Sequence, residues 1–141
     1  MERLSSPEAS PNAVTVVVVD DSAPFRLAAK MVLRRTAGFE LVGEASSGEE
    51  AVELVGAVHP ALVLMDINMP GINGIEATRR ILAGSPDTVV FLCSTYRLDD
   101  LPPDAVASGA RAYVNKEELG PAVLRRLWDE RGTTEGGLAT L

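Results

Sequence analysis

Three acidic residues, a serine and a lysine each stand directly after a short apolar run. Asp20 and Asp21 follow Val14 to Val19, Asp66 follows Ala61 to Met65, Ser94 follows Val89 to Cys93, and Lys116 comes with Asn115 after Ala112 to Val114. If those runs are parallel strands of one sheet, their carboxyl ends share one edge, which is where open α/β sheets bind ligands. Three carboxylates within a few ångströms repel one another unless a cation sits among them, and hard oxygen donors in an open arrangement favour Mg²⁺ over softer metals. A lone lysine beside them supplies charge for phosphoryl oxygens, and a small hydroxyl can donate a hydrogen bond to another. Such a set is suited to metal-assisted phosphoryl transfer to or from a carboxylate.

The surrounding elements must bring these residues together. Val14 to Val19 is β-branched and apolar on both faces, as a parallel strand covered by helices requires. Phe25, Ala28, Ala29 and Val32 recur at helical spacing and predict a helix from about Ser22 to Thr36. A weaker strand is expected over Glu40 to Ala45. Ser47-Gly48-Glu49-Glu50 has the form of a capping box and opens a helix running to about Val58, where His59-Pro60 stops it. Met69 to Gly74 reads as a loop from its proline and glycines, with Ile75, Thr78, Arg79 and Leu82 on the helix after it, and Pro121 to Glu130 is a closing amphipathic helix carrying Leu124, Leu127 and Trp128. Apolar runs thus alternate with amphipathic stretches in five βα units, the pattern of an α/β, doubly wound, parallel sheet.

Composition sets the outer limits. The chain has 141 residues, 46% hydrophobic and 23% charged, which suits one globular domain with a substantial core. That domain is expected over 13–131, between flexible tails at 1–12 (Ser, Pro and Glu rich) and 132–141 (Gly and Thr rich). A net charge of -7 argues against a broad surface for nucleic acid or anionic membrane. No apolar stretch approaches the roughly 20 residues of a membrane helix. The single cysteine, Cys93, permits no internal disulfide, and a reducing cytoplasm is the expected setting.

Asp20-Asp21 after a valine run, Leu64-Met65-Asp66-Ile67-Asn68-Met69-Pro70-Gly71 with Gly74 following, Ser94 after the fourth strand, and Tyr113-Val114-Asn115-Lys116 together resemble the response regulator receiver family of two-component signalling. The likeness covers about Val14 to Arg131 and has a flavour of the receivers of helix-turn-helix response regulators. It implies a flavodoxin-like, CheY-like fold with five helices around five strands in the order 2-1-3-4-5. It also implies that Asp66 is the phosphoacceptor, taking a phosphoryl group from a sensor histidine kinase or a small acyl phosphate. Asp21, Asp66 and the Asn68 carbonyl would then hold Mg²⁺, with Asp20 acting through water, while Ser94 and Lys116 bind phosphoryl oxygens. Ser94 and Tyr113 would form the switch that remodels the face of helix four, strand five and helix five for a partner or output domain. The family is a signalling domain that catalyses only its own phosphorylation and dephosphorylation, so no further enzyme activity is expected. Nor is direct nucleic-acid or membrane binding; the expected state is a monomer or a phosphorylation-dependent homodimer.

Some residues depart from the family pattern. Ser94 replaces the commoner threonine, and Glu117, not proline, follows Lys116, which excludes a cis-proline there. Pro102-Pro103 restricts helix four to about Leu101 to Ser108, ending at Gly109, so Thr95 to Asp100 should be loop. Tyr96 is expected at the pocket mouth, where its ring could hinder the water that hydrolyses an acyl phosphate. Without metal, Lys116 should lie near Asp66.

Plainer readings exist for each residue alone. Asp20-Asp21 could cap a helix, Asp66 a turn, Lys116 could be a surface charge, and Tyr113 ordinary core packing. His59 reads as a surface or capping residue, Cys93 as a small buried hydrophobe, Arg79-Arg80 and Arg125-Arg126 as exposed faces, and Trp128 as packed on its own domain. A haloacid-dehalogenase-type enzyme needs two aspartates one residue apart after the first strand, whereas Asp20 and Asp21 are adjacent with Ser22 next. A pseudo-receiver would have lost a chemical position, and here all are filled. The excised receiver of a transcription factor, with 132–141 as linker stump, is the remaining alternative.

Overall fold

The β-branched run of β1 (Val14–Val19) pairs on one side with β2 (Phe39–Ala45) and on the other with β3 (Leu62–Asp66), all parallel. β4 (Val89–Ser94) and β5 (Ala112–Asn115) extend the sheet beyond β3, giving the order β2-β1-β3-β4-β5. The computed structural model describes residues 12–131, so the tails expected at 1–12 and 132–141 lie, apart from Asn12, outside the described residues. The helices are α1 (Ala23–Arg34), α2 (Gly48–Val58), α3 (Gly74–Gly84), α4 (Pro103–Ala107) and α5 (Pro121–Glu130).

Alternate residues of each strand feed two cores. Val17, Val19, Val63, Met65, Val90 and Leu92 face Ala51 and Val55 of α2, Ile75 and Ile81 of α3 and Ala105 of α4. Val16, Val18, Leu62, Leu64, Phe91 and Cys93 face Ala29 and Leu33 of α1 and Leu124 and Leu127 of α5. A sheet apolar on both faces therefore follows from the continuous Val and Leu runs, each buried Leu or Val side chain contributing about 1.5–3 kcal/mol. Cys93 is free and buried, as a small core residue, and the ring of Trp128 meets Phe39 edge-on at 6.1 Å. Among the described residues no helix is long and apolar enough to cross a membrane.

Local signals explain the helix starts. Ser22 Oγ accepts from Phe25 N, Ser47 Oγ from Glu50 N, and Asn73 Oδ1 from Glu76 N, caps worth about 1 kcal/mol each. The capping box on α2 closes differently from expectation, because Glu50 Oε1 accepts from Ser46 N and Ser46 Oγ. On α1 the buried stripe passes through Ala29 and Leu33 with Phe25 and Val32 beside it, while Ala28 is exposed. His59 ends α2 in the left-handed conformation with φ 49 and is exposed.

Helix four departs from its expected bounds. It spans Pro103–Ala107, shorter than the two turns expected over Leu101 to Ser108, because Pro102 is extended at ψ 140 and Pro103 takes the first helical position. Its end is set by Ser108, whose hydroxyl donates to Ala105 O and accepts from Ala110 N, followed by Gly109 at φ 97. The segment expected as loop contains a 3₁₀ turn at Leu98–Asp100. Pro102 keeps that turn from merging with α4, since the residue before a proline is biased away from helical dihedrals.

Candidate functional site

The chain leaves β1 for β2 on one side and later returns to β3 on the other, so the sheet's switch point lies between the carboxyl ends of β1 and β3. Asp20 and Asp21 emerge at one lip of this crevice, and Asp66, the last residue of β3, at the other. Ser94 and Asn115 are likewise the last residues of their strands and register partners. Each of these three strands runs one residue further than its apolar run, which places the chemical groups on hydrogen-bonded backbone. Lys116 opens a 3₁₀ turn, Lys116–Glu118, directly after β5.

One ligand atom from each of Asp20, Asp21 and Asp66 lies within 4.8 Å of the others. Asp20 has 0% exposure and Asp66 4%, whereas Asp21 is exposed. Asp20 Oδ1 accepts from Ser22 N at 2.8 Å. Its Oδ2 receives the Lys116 ammonium at 2.6 Å as an ion pair outside hydrogen-bonding geometry, so that buried oxygen has no hydrogen bond of its own. Lys116 Nζ is also 3.2 Å from Asp66 Oδ1 and 4.6 Å from the centre of the Phe25 ring, a cation held between two carboxylates and an aromatic face. The expectation that Lys116 lies near Asp66 without metal agrees with this geometry.

Electrostatics follow from burial. Desolvation, reinforced by the charge of Asp20 and opposed by Lys116, pushes the Asp66 carboxyl up from 3.8 to about 6. Burial works against the charge of Lys116, but its close pairing with Asp20 and the attraction of both aspartates outweigh that and raise its pKa. Three carboxylates facing one lysine leave the pocket two charges short of neutrality. The hard donor set and this charge deficit fit a small divalent cation such as Mg²⁺.

Tyr113 is buried, and its hydroxyl, with one proton to share, lies within hydrogen-bonding distance of two carbonyls, Ser94 O at 3.0 Å and Tyr96 O at 2.5 Å. Burial pushes that phenol up to about 12, so it remains a donor. Tyr96 is half-buried and donates from its hydroxyl to Asn68 Oδ1 at 3.3 Å, across the gap between the loops after β4 and β3.

Two supports, Arg26 and Glu49, were missed at the level of sequence, and a third, Gly74, stood there only as part of the motif. Arg26 donates to Asp20 O at 2.6 Å and to Glu44 Oε1 at 3.0 Å, fixing the end of β1. Glu49 Oε2 accepts from Ile72 N, tying α2 to the loop after β3. Gly74 packs so closely on Asp66 that a Cβ there would lie 1.9 Å from the aspartate's carbonyl oxygen. Only the glycine carries a local signal, a Gly at the junction of loop and helix.

Comparisons with known proteins agree with the fold. The family described as response regulator receiver domain matches residues 16–127. The transcriptional regulatory protein DegU of Brevibacillus brevis is 37% identical over 113 residues, covering 80% of this chain and 48% of DegU, so the chain spans about half the length of that relative. The chemotaxis protein CheY of Thermotoga maritima is 37% identical over 101 residues, covering 72% of this chain and 83% of CheY. Among solved structures, the signal receiver domain of NarL from Mycobacterium tuberculosis superposes with a TM-score of 0.78 at 28% identity, covering 88% of this chain and 100% of that one. The chain therefore belongs to the response regulator receiver domain family, the signalling domains of two-component systems.

Proposed function

We propose that this receiver domain takes a phosphoryl group from a histidine kinase onto Asp66 and passes the signal through the face of α4, β5 and α5. The observation that carries the reading is the near-buried Asp66 carboxylate, grouped with Asp20 and Asp21 within 4.8 Å and paired to Lys116 at 3.2 Å. An Asp66 oxygen attacks phosphorus as the bond to the donor, a phosphohistidine nitrogen or an acyl oxygen, breaks and the electron pair leaves with the donor.

Asp21, Asp66 and the Asn68 carbonyl would hold Mg²⁺, with Asp20 acting through water. When bound, the ion offsets carboxylate repulsion and developing phosphoryl charge. Lys116, anchored by Asp20, presents its ammonium to one phosphoryl oxygen, and the Ser94 hydroxyl donates to another. Ser94 and Tyr113 form the switch, because the phenol holds the Ser94 carbonyl and any movement of one is felt by the other. Tyr96 stands over the mouth through Asn68 and slows the water that hydrolyses the acyl phosphate. The partner or output domain reads the short α4 and the segment before it.

Labelling with acetyl phosphate tests the reading. The expected product is acid-stable, hydroxylamine-labile, and formed only with Mg²⁺, as an aspartyl phosphate should be. Label resistant to hydroxylamine, or formed equally in excess chelator, contradicts it.

A further inference from the structure

The side-chain amide of Asn115 joins two backbone segments on either side of the pocket. Its Nδ2 donates to Tyr96 O at 3.2 Å, and its Oδ1 accepts from Glu117 N at 2.9 Å. The first bond holds the loop that follows Ser94, and the second caps the 3₁₀ turn that begins with Lys116. Asn115 and Tyr113 lie two apart on β5 and so project to one side of the strand. Both donate to the same Tyr96 carbonyl. Tyr96 in turn reaches Asn68 through its hydroxyl.

We propose that Asn115 is a positioning residue, a strap that makes the Ser94–Tyr96 loop and the Lys116 turn move as one body; the proposal rests on the phosphoacceptor reading of Asp66. The two groups assigned to the phosphoryl oxygens, the Ser94 hydroxyl and the Lys116 ammonium, sit on separate chain segments whose relative placement the strap sets. The sheet alone leaves this open, because β4 and β5 end at Ser94 and Asn115, and the residues beyond them have no ladder bonds in common. An amide suits the task because it offers a donor and an acceptor from one short, rigid group. Serine at this position keeps an acceptor for Glu117 N but is one bond too short, and lacks the planar amide, to hold Tyr96 O as well.

The test compares wild type, Asn115→Ser and Asn115→Ala by amide exchange, Mg²⁺ titration and acetyl phosphate labelling. Both variants should exchange faster than wild type at backbone amides from Thr95 to Asp100, while the Glu117 amide loses protection only in Asn115→Ala. Labelling of Asn115→Ser should be roughly fivefold slower, the effect of one lost hydrogen bond, with Mg²⁺ affinity as in wild type and Tm lowered by no more than the few degrees one such bond accounts for. Unchanged loop exchange, or wild-type labelling by Asn115→Ser, overturns the proposal. So does a parallel loss of Mg²⁺ affinity and Tm in Asn115→Ser, which would make the asparagine only a folding residue. Should wild type itself take no label, the Asp66 reading fails, and the strap is still decided by exchange alone.

Discussion

The ammonium of Lys116 lies 2.6 Å from Oδ2 of Asp20, an aspartate with 0% exposure. Its distance to Asp66 is longer, 3.2 Å. The lysine is therefore anchored on the aspartate that is not the proposed acceptor, and a phosphoryl group arriving on Asp66 meets a cation already held in place. Lys116→Met leaves two buried carboxylates without their partner. The metal-free variant should lose on the order of 2 kcal/mol at neutral pH, with a larger stabilisation by Mg²⁺ than wild type shows. Thermal melts with chelator and with Mg²⁺ measure both effects, and an unchanged metal-free Tm would count against the pairing.

The raised pKa of Asp66 makes stability depend on pH in a definite direction. Its folded value, about 6, lies above the ordinary 3.8, so the fold favours the protonated carboxyl. That contribution is fully present below about pH 4 and is lost as the pH rises through 6. The raised pKa of Lys116 acts only in the alkaline range and leaves this window alone. In chelator, Asp66→Asn should be more stable than wild type near pH 7.5 by on the order of 2 kcal/mol and no more stable near pH 4. Urea unfolding at the two pH values checks it; a gain independent of pH contradicts the assignment.

Gly74 admits no side chain without moving Asp66, since a Cβ would come within 1.9 Å of the Asp66 carbonyl. Gly74→Ala should cost on the order of 3 kcal/mol and slow labelling beyond what partial unfolding explains. Gly84, with open space around its Cβ position, serves as control: Gly84→Ala should hold wild-type stability or gain slightly in the helix.

Tyr96 bridges to Asn68 over the crevice. Tyr96→Ala should shorten the lifetime of the phosphorylated form by up to about tenfold, equivalent to about 1.4 kcal/mol at the hydrolysis barrier. Tyr96→Phe, which keeps the ring and loses the bond, separates shielding by bulk from tethering to Asn68. Decay of the label after removal of acetyl phosphate gives the rates, and three equal lifetimes would remove Tyr96 from the account.

The sheet and the acidic crevice were legible because both are written locally. Valine-rich runs specify parallel strands, and Asp20, Asp66, Ser94 and Lys116 each follow one of them, so the fold class and the grouping of these residues need no long-range information. The supports were not legible. Arg26 on the Asp20 carbonyl, Glu49 on the Ile72 amide and Asn115 on the Tyr96 carbonyl all bond to backbone atoms, and every residue type offers the same backbone acceptor and, proline aside, the same donor. Helix four was misjudged in length for a related reason. Proline limits where a helix begins, but the Ser108 hydroxyl that closes it from inside is a choice among local bonds that spacing does not reveal.

Intact mass spectrometry after acetyl phosphate treatment, run on wild type and Asp66→Asn with Mg²⁺ and with excess chelator, tests the central claim most directly. Wild type with Mg²⁺ should gain the mass of a single phosphoryl group, and the other three samples should gain none. A phosphoryl adduct on Asp66→Asn, or on wild type in chelator, would contradict the account.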